Sequence, residues 1–175
     1  GVDESVNGGL EDRVGDFAHG GCGEGKVLRS ILVDAQADIL TYGMGERASV
    51  EIAARLASGT PVEEITDVRG TCVAVPHPGI CAYPRVEVPS FEEVSTDKRS
   101  YAQANQIQYE EHDPIRGRAI LQRHGARLLI VNPPAMPLTT AEPDLVAELP
   151  YARAPHPMYA EMRGCLSSTH PNRRH

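Results

Sequence analysis

Between residues 24 and 75 the apolar pattern keeps changing period, and this limits the fold more than anything else in the 175-residue chain. Val27, Leu28, Ile31, Leu32 and Ala35 recur at helical spacing and predict a helix over Glu24–Ala35. Ile39 and Leu40 centre a short strand over Ala37–Tyr42, which Gly43 and Gly45 break. Val50, Ala53, Ala54 and Ala57, read as facing inward with Ile52 and Leu56 beside them, predict a second helix over Glu46–Ala57. Glu46 suits the positive end of that helix, and Gly59 suits its stop. Val62 and Ile65 suggest a single turn, and Gly70 leads into a β-branched strand over Thr71–Val75. Helix, strand, helix, turn, strand is half of an open α/β sheet. Two strands cannot bury both faces of two helices, so further strands come from later in the chain or from upstream of it.

Beyond Pro76 the character changes. His77-Pro78-Gly79 and Tyr83-Pro84 make an irregular connection. Ser90 and Glu93 form a capping-box pattern for a polar helix from about Phe91 or Ser95 to Glu111, with Asp113-Pro114 as its stop. Arg127–Val131 reads as the best strand, ending at Asn132-Pro133-Pro134. Thr139 with Glu142 offers a second capping box and a short helix to Glu148, and the chain is loop-like after Pro150. The Gly-rich residues 1–23 read as loop, with one short helix near Glu11–Phe17.

The formal charge of −7 argues against a nucleic-acid partner, because a negative surface repels phosphate backbones. The exception is a small basic tail of Arg163, His170, Arg173, Arg174 and His175, which reads as a solvated terminus. No apolar run reaches the ~20 residues that span a bilayer, so no membrane partner is expected. The start has no apolar h-region of a signal peptide, and four scattered cysteines then read as reduced thiols of a cytoplasmic protein. With no Trp and two Phe, the core is modest.

Candidate sites are few. Gly43-Met44-Gly45-Glu46 lies between a strand and a helix, where backbone N–H groups can meet a phosphate. Gly43, Gly45 and Glu46 are therefore the candidate cofactor-binding residues. Two features oppose that reading: Ser49 stands near the place of a third glycine, and Glu46 repels a phosphate. The alternative is that the glycines simply fit a tight turn. Cys72, His77 and Cys81, with His19 and Cys22, could supply zinc ligands, but four donors would have to converge. A buried, inert Cys72 in its strand is the expected outcome, with no metal site. No catalytic triad is legible, and Glu63-Glu64 and Glu110-Glu111 read as solvated.

Several stretches together resemble one family. They are Val27 to Glu46, Pro89–Val94 with Asp97-Lys98, Gln122–Gly125, Asn132–Ala135 with Pro137-Leu138, and Leu149–Arg153 followed by His156-Pro157 and Tyr159. In this order and spacing they resemble the N-terminal region of the YgiQ-like family of uncharacterised radical SAM proteins. The resemblance covers roughly residues 8–159. It implies that the full-length proteins carry a [4Fe–4S] cluster and S-adenosylmethionine, with three irons held by Cys-x3-Cys-x2-Cys. Arg163-Gly164-Cys165 is similar to the start of that motif, yet Thr169 and Asn172 stand where the other two cysteines belong, and neither supplies a thiolate. Gly8–Glu11 looks like the end of a family strand that is otherwise replaced by Gly1–Asn7.

The resemblance further implies an incomplete Rossmann-like, cobalamin-binding-domain-like unit over residues 1–75. A similar Gly-x-Gly-Glu follows the fourth strand of cobalamin-binding radical SAM proteins, but the D-x-H-x-x-G motif of the axial ligand is absent, so cobalamin is not expected. The fold expected is α/β, this unit being followed by an extended connector with a helix and a strand over 76–162 and an aberrant tail over 163–175. The function expected is that of an accessory region truncated before the cluster-binding core, without catalysis or cofactor of its own. Its partner is that radical SAM core, in cis or in trans, with self-association through an open sheet edge. Arg153 and His156 would order a loop against the core, the alternative being a plain surface loop. The alternatives are a small-molecule (nucleotide or cobalamin-like) binding module using the Gly43–Glu46 turn, and an interaction domain with an exposed apolar patch near Asn132–Leu138.

Overall fold

The structure, a computed structural model, describes residues 19–20, 27–76 and 81–151. The readings of Cys22, His77, Arg153, His156, Cys165, Thr169 and Asn172, and of the 163–175 tail, lie outside the described residues. The chain divides into two units, Gly1–Pro137 and Leu138–His175.

The first unit is built on a five-stranded mixed sheet. Its strands, in spatial order, are β3 (Ile39–Thr41), β4 (Thr71–Val75), β7 (Arg127–Val131), β6 (Ala119–His124) and β5 (Arg85–Glu87). A separate pair joins β1 (His19–Gly20) to β2 (Val27–Leu28). The helices are α1 (Ile31–Asp34), α2 (Glu46–Ala57), α3 (Phe91–Thr96) and α4 (Lys98–Glu110), with a 3-10 turn at Val62–Glu64. In the second unit, α5 (Ala141–Glu148) follows Thr139, whose backbone N–H and hydroxyl both donate to Glu142.

Strand alternation puts a core on each face of the sheet. Tyr42, Cys72, Ile120, Leu129 and Val131 point to one side, where Leu32 of α1 packs among them. Val73, Ala119, Leu121, Leu128 and Ile130 point to the other, with Ile39 and Tyr83 against them. Ile39 also packs, as does Ile52 of α2, against the buried cluster of Ala48, Ile65 and Val68. Three of the five strands, β5, β6 and β7, come from beyond residue 75.

The α/β class is as expected, but the pairing differs from a Rossmann-like unit. Such a unit would set the strands flanking α2 parallel. Here β3 and β4 are antiparallel, with Leu40 opposite Cys72, and among the described residues the one parallel pair is β5 with β6. The connection through α2 and the 3-10 turn brings the chain back antiparallel beside β3.

The helix expected over Glu24–Ala35 is also absent. Val27 and Leu28 pair with β1, and only one helical turn remains. Gln36 ends that turn at φ +53, as Gln36 N–H donates to Val33 O and Ala37 N–H to Leu32 O. This is a Schellman closure with glutamine in the place that favours glycine. By contrast α2 and β4 begin and end where expected, but the inward face of α2 is not the one read: Ala48 is buried with Ile52 beside it, while Val50, Ala53, Ala54 and Ala57 are exposed. Gly59, at φ +89, closes α2 with the same pair of bonds, to Leu56 and Arg55. The long polar helix is interrupted at Asp97, whose extended backbone ends α3 and whose carboxylate caps α4 by accepting from Ser100 N–H at 2.8 Å. The capping box at Ser90 and Glu93 is present as read.

Candidate functional site

The turn from β3 into α2 was the candidate site. Gly43 adopts φ +64, which a residue with a Cβ rarely takes. Gly45 is the N-cap of α2, and no side chain caps the helix. A Cβ on Gly45 would meet only Thr41 Oγ1 at 3.7 Å and Ser49 Oγ at 3.9 Å, ordinary contacts, so no close approach requires glycine there. Met44 and Glu46 are exposed. The turn is an open surface feature with a backbone reason for Gly43.

What lies beneath the turn is a buried polar latch. Tyr42 N–H donates to Gly70 O at 2.9 Å, and the Tyr42 hydroxyl donates to the carbonyl of Asn132. Asn132 Nδ2 donates to Thr66 O and to Thr71 Oγ1, each at 3.0 Å. The Thr71 hydroxyl in turn donates to Val68 O at 2.7 Å. Gly70 N–H donates to Pro133 O at 2.8 Å, and Arg69 donates to the carbonyls of Pro134 and Pro114. Buried polar groups persist only when partnered, so this cluster fixes 66–71 against 132–134. It also corrects the expected apolar patch: Asn132, Pro133 and Pro134 are buried, while Met136 and Pro137 are exposed.

A cavity of about 620 Å³ lies at the other end of β3 and β4. Gln36, Asp38, Glu63, Thr66 and Arg127 provide its polar groups, with Ile65 and Val73 as apolar wall. None of Gly43, Gly45 and Glu46 lines it. The turn and the cavity are therefore separate features.

Two polar sites were not legible in the sequence. Gln122 Nε2 donates to Pro89 O at 3.0 Å, which leaves its Oε1 facing His124 Nε2 at 2.9 Å. His124 then carries its proton on Nε2 and a bare lone pair on Nδ1, which has no partner among the described residues. Its ring stacks on Phe91, and burial pushes its pKa down to about 4. The other is Glu111, read as solvated but buried here. Its carboxylate accepts from Arg118 N at 2.7 Å and Nε at 2.8 Å. That pairing holds the Arg118 pKa above its usual value. Glu63, Glu64 and Glu110 are exposed, as expected.

The described cysteines do not converge. Cys72 is buried in the core on one face of the sheet, and Cys81 packs on the opposite face. Among the described residues no group of three or more His, Cys, Asp or Glu could hold a metal ion. No described helix is long and apolar enough to cross a membrane.

The chain matches the family model described as radical SAM N-terminal over residues 4–168. It is 46% identical over 156 residues to a UPF0313 protein of Methanocella arvoryzae, covering 89% of this chain and 26% of that protein. A UPF0313 protein of Geobacter sulfurreducens is 46% identical over 161 residues, with the same two shares. One from Clostridium botulinum is 46% identical over 154 residues, covering 88% of this chain and 24% of that protein. The chain thus spans about a quarter of the length of the curated relatives it matches. No solved structure matches.

Proposed function

Because this chain belongs to the radical SAM N-terminal family, we propose that it serves as the accessory region of a larger UPF0313-type radical SAM protein and does not catalyse on its own. The observation that carries this is the pairing of two coverages. Nearly nine-tenths of the chain aligns, yet it accounts for only a quarter of the relatives. Family membership implies a [4Fe–4S] cluster and S-adenosylmethionine for the full-length proteins. The described residues do not suit that cluster: Cys72 and Cys81 lie on opposite faces of the sheet, and Cys72 is fully buried. In this reading the cluster, the substrate and the chemistry belong to the other three-quarters, which acts in the cytoplasm with this region as its scaffold. The Rossmann-like reading of residues 1–75 rests on the element pattern and the Gly43–Glu46 turn, and the antiparallel pairing of β3 with β4 lends it no support. A small-molecule role for Gly43, Gly45 and Glu46 gains no support from the geometry, since the cavity lies elsewhere.

Anaerobic reconstitution of the chain with iron and sulfide tests the proposal. The expected result is no stable cluster absorbance and no reductive cleavage of S-adenosylmethionine. A stoichiometric [4Fe–4S] cluster would overturn it.

A further inference from the structure

The two edges of the five-stranded sheet are built differently. At one edge, β5 is Arg85-Val86-Glu87, preceded by Pro84 and followed by Pro89. Charged residues and prolines are how proteins blunt an edge against further pairing. At the other edge, β3 is Ile39-Leu40-Thr41, equally short, with Asp38 just before it but no charge, proline or bulge within it.

The register shows which groups β3 presents outward. Tyr42 N–H donates to Gly70 O, and Leu40 lies opposite Cys72, two residues along each strand. In an antiparallel pair the bonded positions alternate, so Tyr42 and Leu40 face β4. The N–H and C=O groups of Ile39 and Thr41 then face away from the sheet. Among the described residues no strand pairs with them. The helix that follows repeats the pattern. Ala48 and Ile52 turn inward, while the outward positions Val50, Ala53, Ala54 and Ala57 are apolar and exposed, Val50 at 71%. A helix facing only water carries polar residues there.

We infer that the outer edge of β3 is a strand-addition surface, and that its occupant is an extended segment from the part of the full-length family protein that this chain does not span. The inference rests on the proposed function, since it needs the remaining three-quarters of the relatives' length to supply the strand. Backbone bonds to Ile39 and Thr41 would supply the affinity, and alternate side chains of the added strand would continue the apolar faces that Ile39 and Leu40 begin.

Hydrogen–deuterium exchange tests this. Peptides covering residues 37–42 are followed in this chain alone and, at the aligned positions, in the full-length Methanocella arvoryzae relative. The expected result is exchange at least roughly tenfold slower in the full-length protein, as an edge strand becomes an internal one. Equal exchange in both would overturn the inference. Slow exchange in the isolated chain that depends on its concentration would also overturn it, by assigning the edge to a second copy. A cluster formed by the isolated chain would sink the proposed function without changing the exchange at β3, so the two failures are distinguishable.

Discussion

Asn132 and Thr71 are bonded to each other twice: Asn132 N–H donates to the Thr71 carbonyl at 2.9 Å, and Asn132 Nδ2 donates to Thr71 Oγ1 at 3.0 Å. One bond extends the β4–β7 ladder by a residue, and the other is made by a side chain that also reaches Thr66 O. Asn132→Ala removes the side-chain donor, leaves the buried Thr71 Oγ1 and the half-buried Thr66 O each short of a partner, and opens a small void. A loss of about 2–3 kcal/mol is expected. Urea melts of the two proteins check it through the transition midpoint, at unchanged slope.

Acid should destabilise the fold through His124. Its folded pKa of about 4 lies below the ~6.5 of an unfolded histidine, so the unfolded chain takes up the proton first. Stability is therefore full above pH ~6.5 and falls as the pH drops toward ~4, by up to roughly 3 kcal/mol. Burial is the main cause. Glu92 and Asp34 partly oppose it, and Arg29 adds to it. The carboxylates of Glu93, Asp97 and Asp113 are held low by backbone N–H groups and lose their contribution only in more acid solution. His124→Phe should flatten the stability profile between about pH 4 and 6.5 and leave the carboxylate limb at lower pH in place.

Gly117→Ala and Gly125→Ala separate two reasons for glycine. A Cβ on Gly117 would fall inside 3.0 Å of the carbonyl oxygens of Glu111 and Asp113, both backbone atoms that cannot swing away. A Cβ on Gly125 would meet nothing within 4 Å, but that residue sits at φ +60. The second change should cost about 1 kcal/mol. The first should cost well over twice as much and displace the Glu111–Arg118 clamp. Thermal melts read the order, and equal effects would contradict the geometry of the 111–118 loop.

Gln36→Gly should stabilise the chain. Gln36 holds the left-handed position that closes α1, and its own side chain is exposed. Relief of the Cβ strain outweighs the extra freedom glycine brings to the unfolded state, for a net gain of up to about 1 kcal/mol. A rise in melting temperature relative to the parent chain checks it.

The sequence was most legible where local signals agree. For α2, Gly45 before it, the Glu46 start and the Gly59 closure all point to one segment, and the helix runs Glu46–Ala57 as read. β4 and β7 were legible from β-branched and aliphatic runs that meet no competing period. The 24–35 stretch misled because Val27 and Leu28 fit a helical stripe equally well; a distant strand at His19–Gly20 decides the matter. β6 escaped because Gln122, Arg123 and His124 break its apolar run, although Gln122 and His124 are buried by bonding to Pro89 and to each other. β5, three residues long with two charges, carries no pattern that could have shown it. Of the candidate site, the strand-to-helix position of Gly43–Glu46 was read correctly. The latch beneath it was not, since Asn132, Thr71 and Tyr42 meet only through the sheet.

The hairpin between β6 and β7 turns on two residues, Gly125 and Ala126, with His124 opposite Arg127. Only Gly125 of these two has a positive φ, the arrangement of a turn whose twist matches the strands it joins. Every other pairing in the sheet must first close a long excursion: β3 to β4 through α2, β5 to β6 through α3 and α4, and β4 to β7 from Val75 to Arg127. Closing a short loop forfeits the least chain entropy, so this hairpin is expected to form first. Damage at Gly125 then slows the approach to the native state. Damage at Asn132, whose bonds need β4 already docked, instead hastens departure from it.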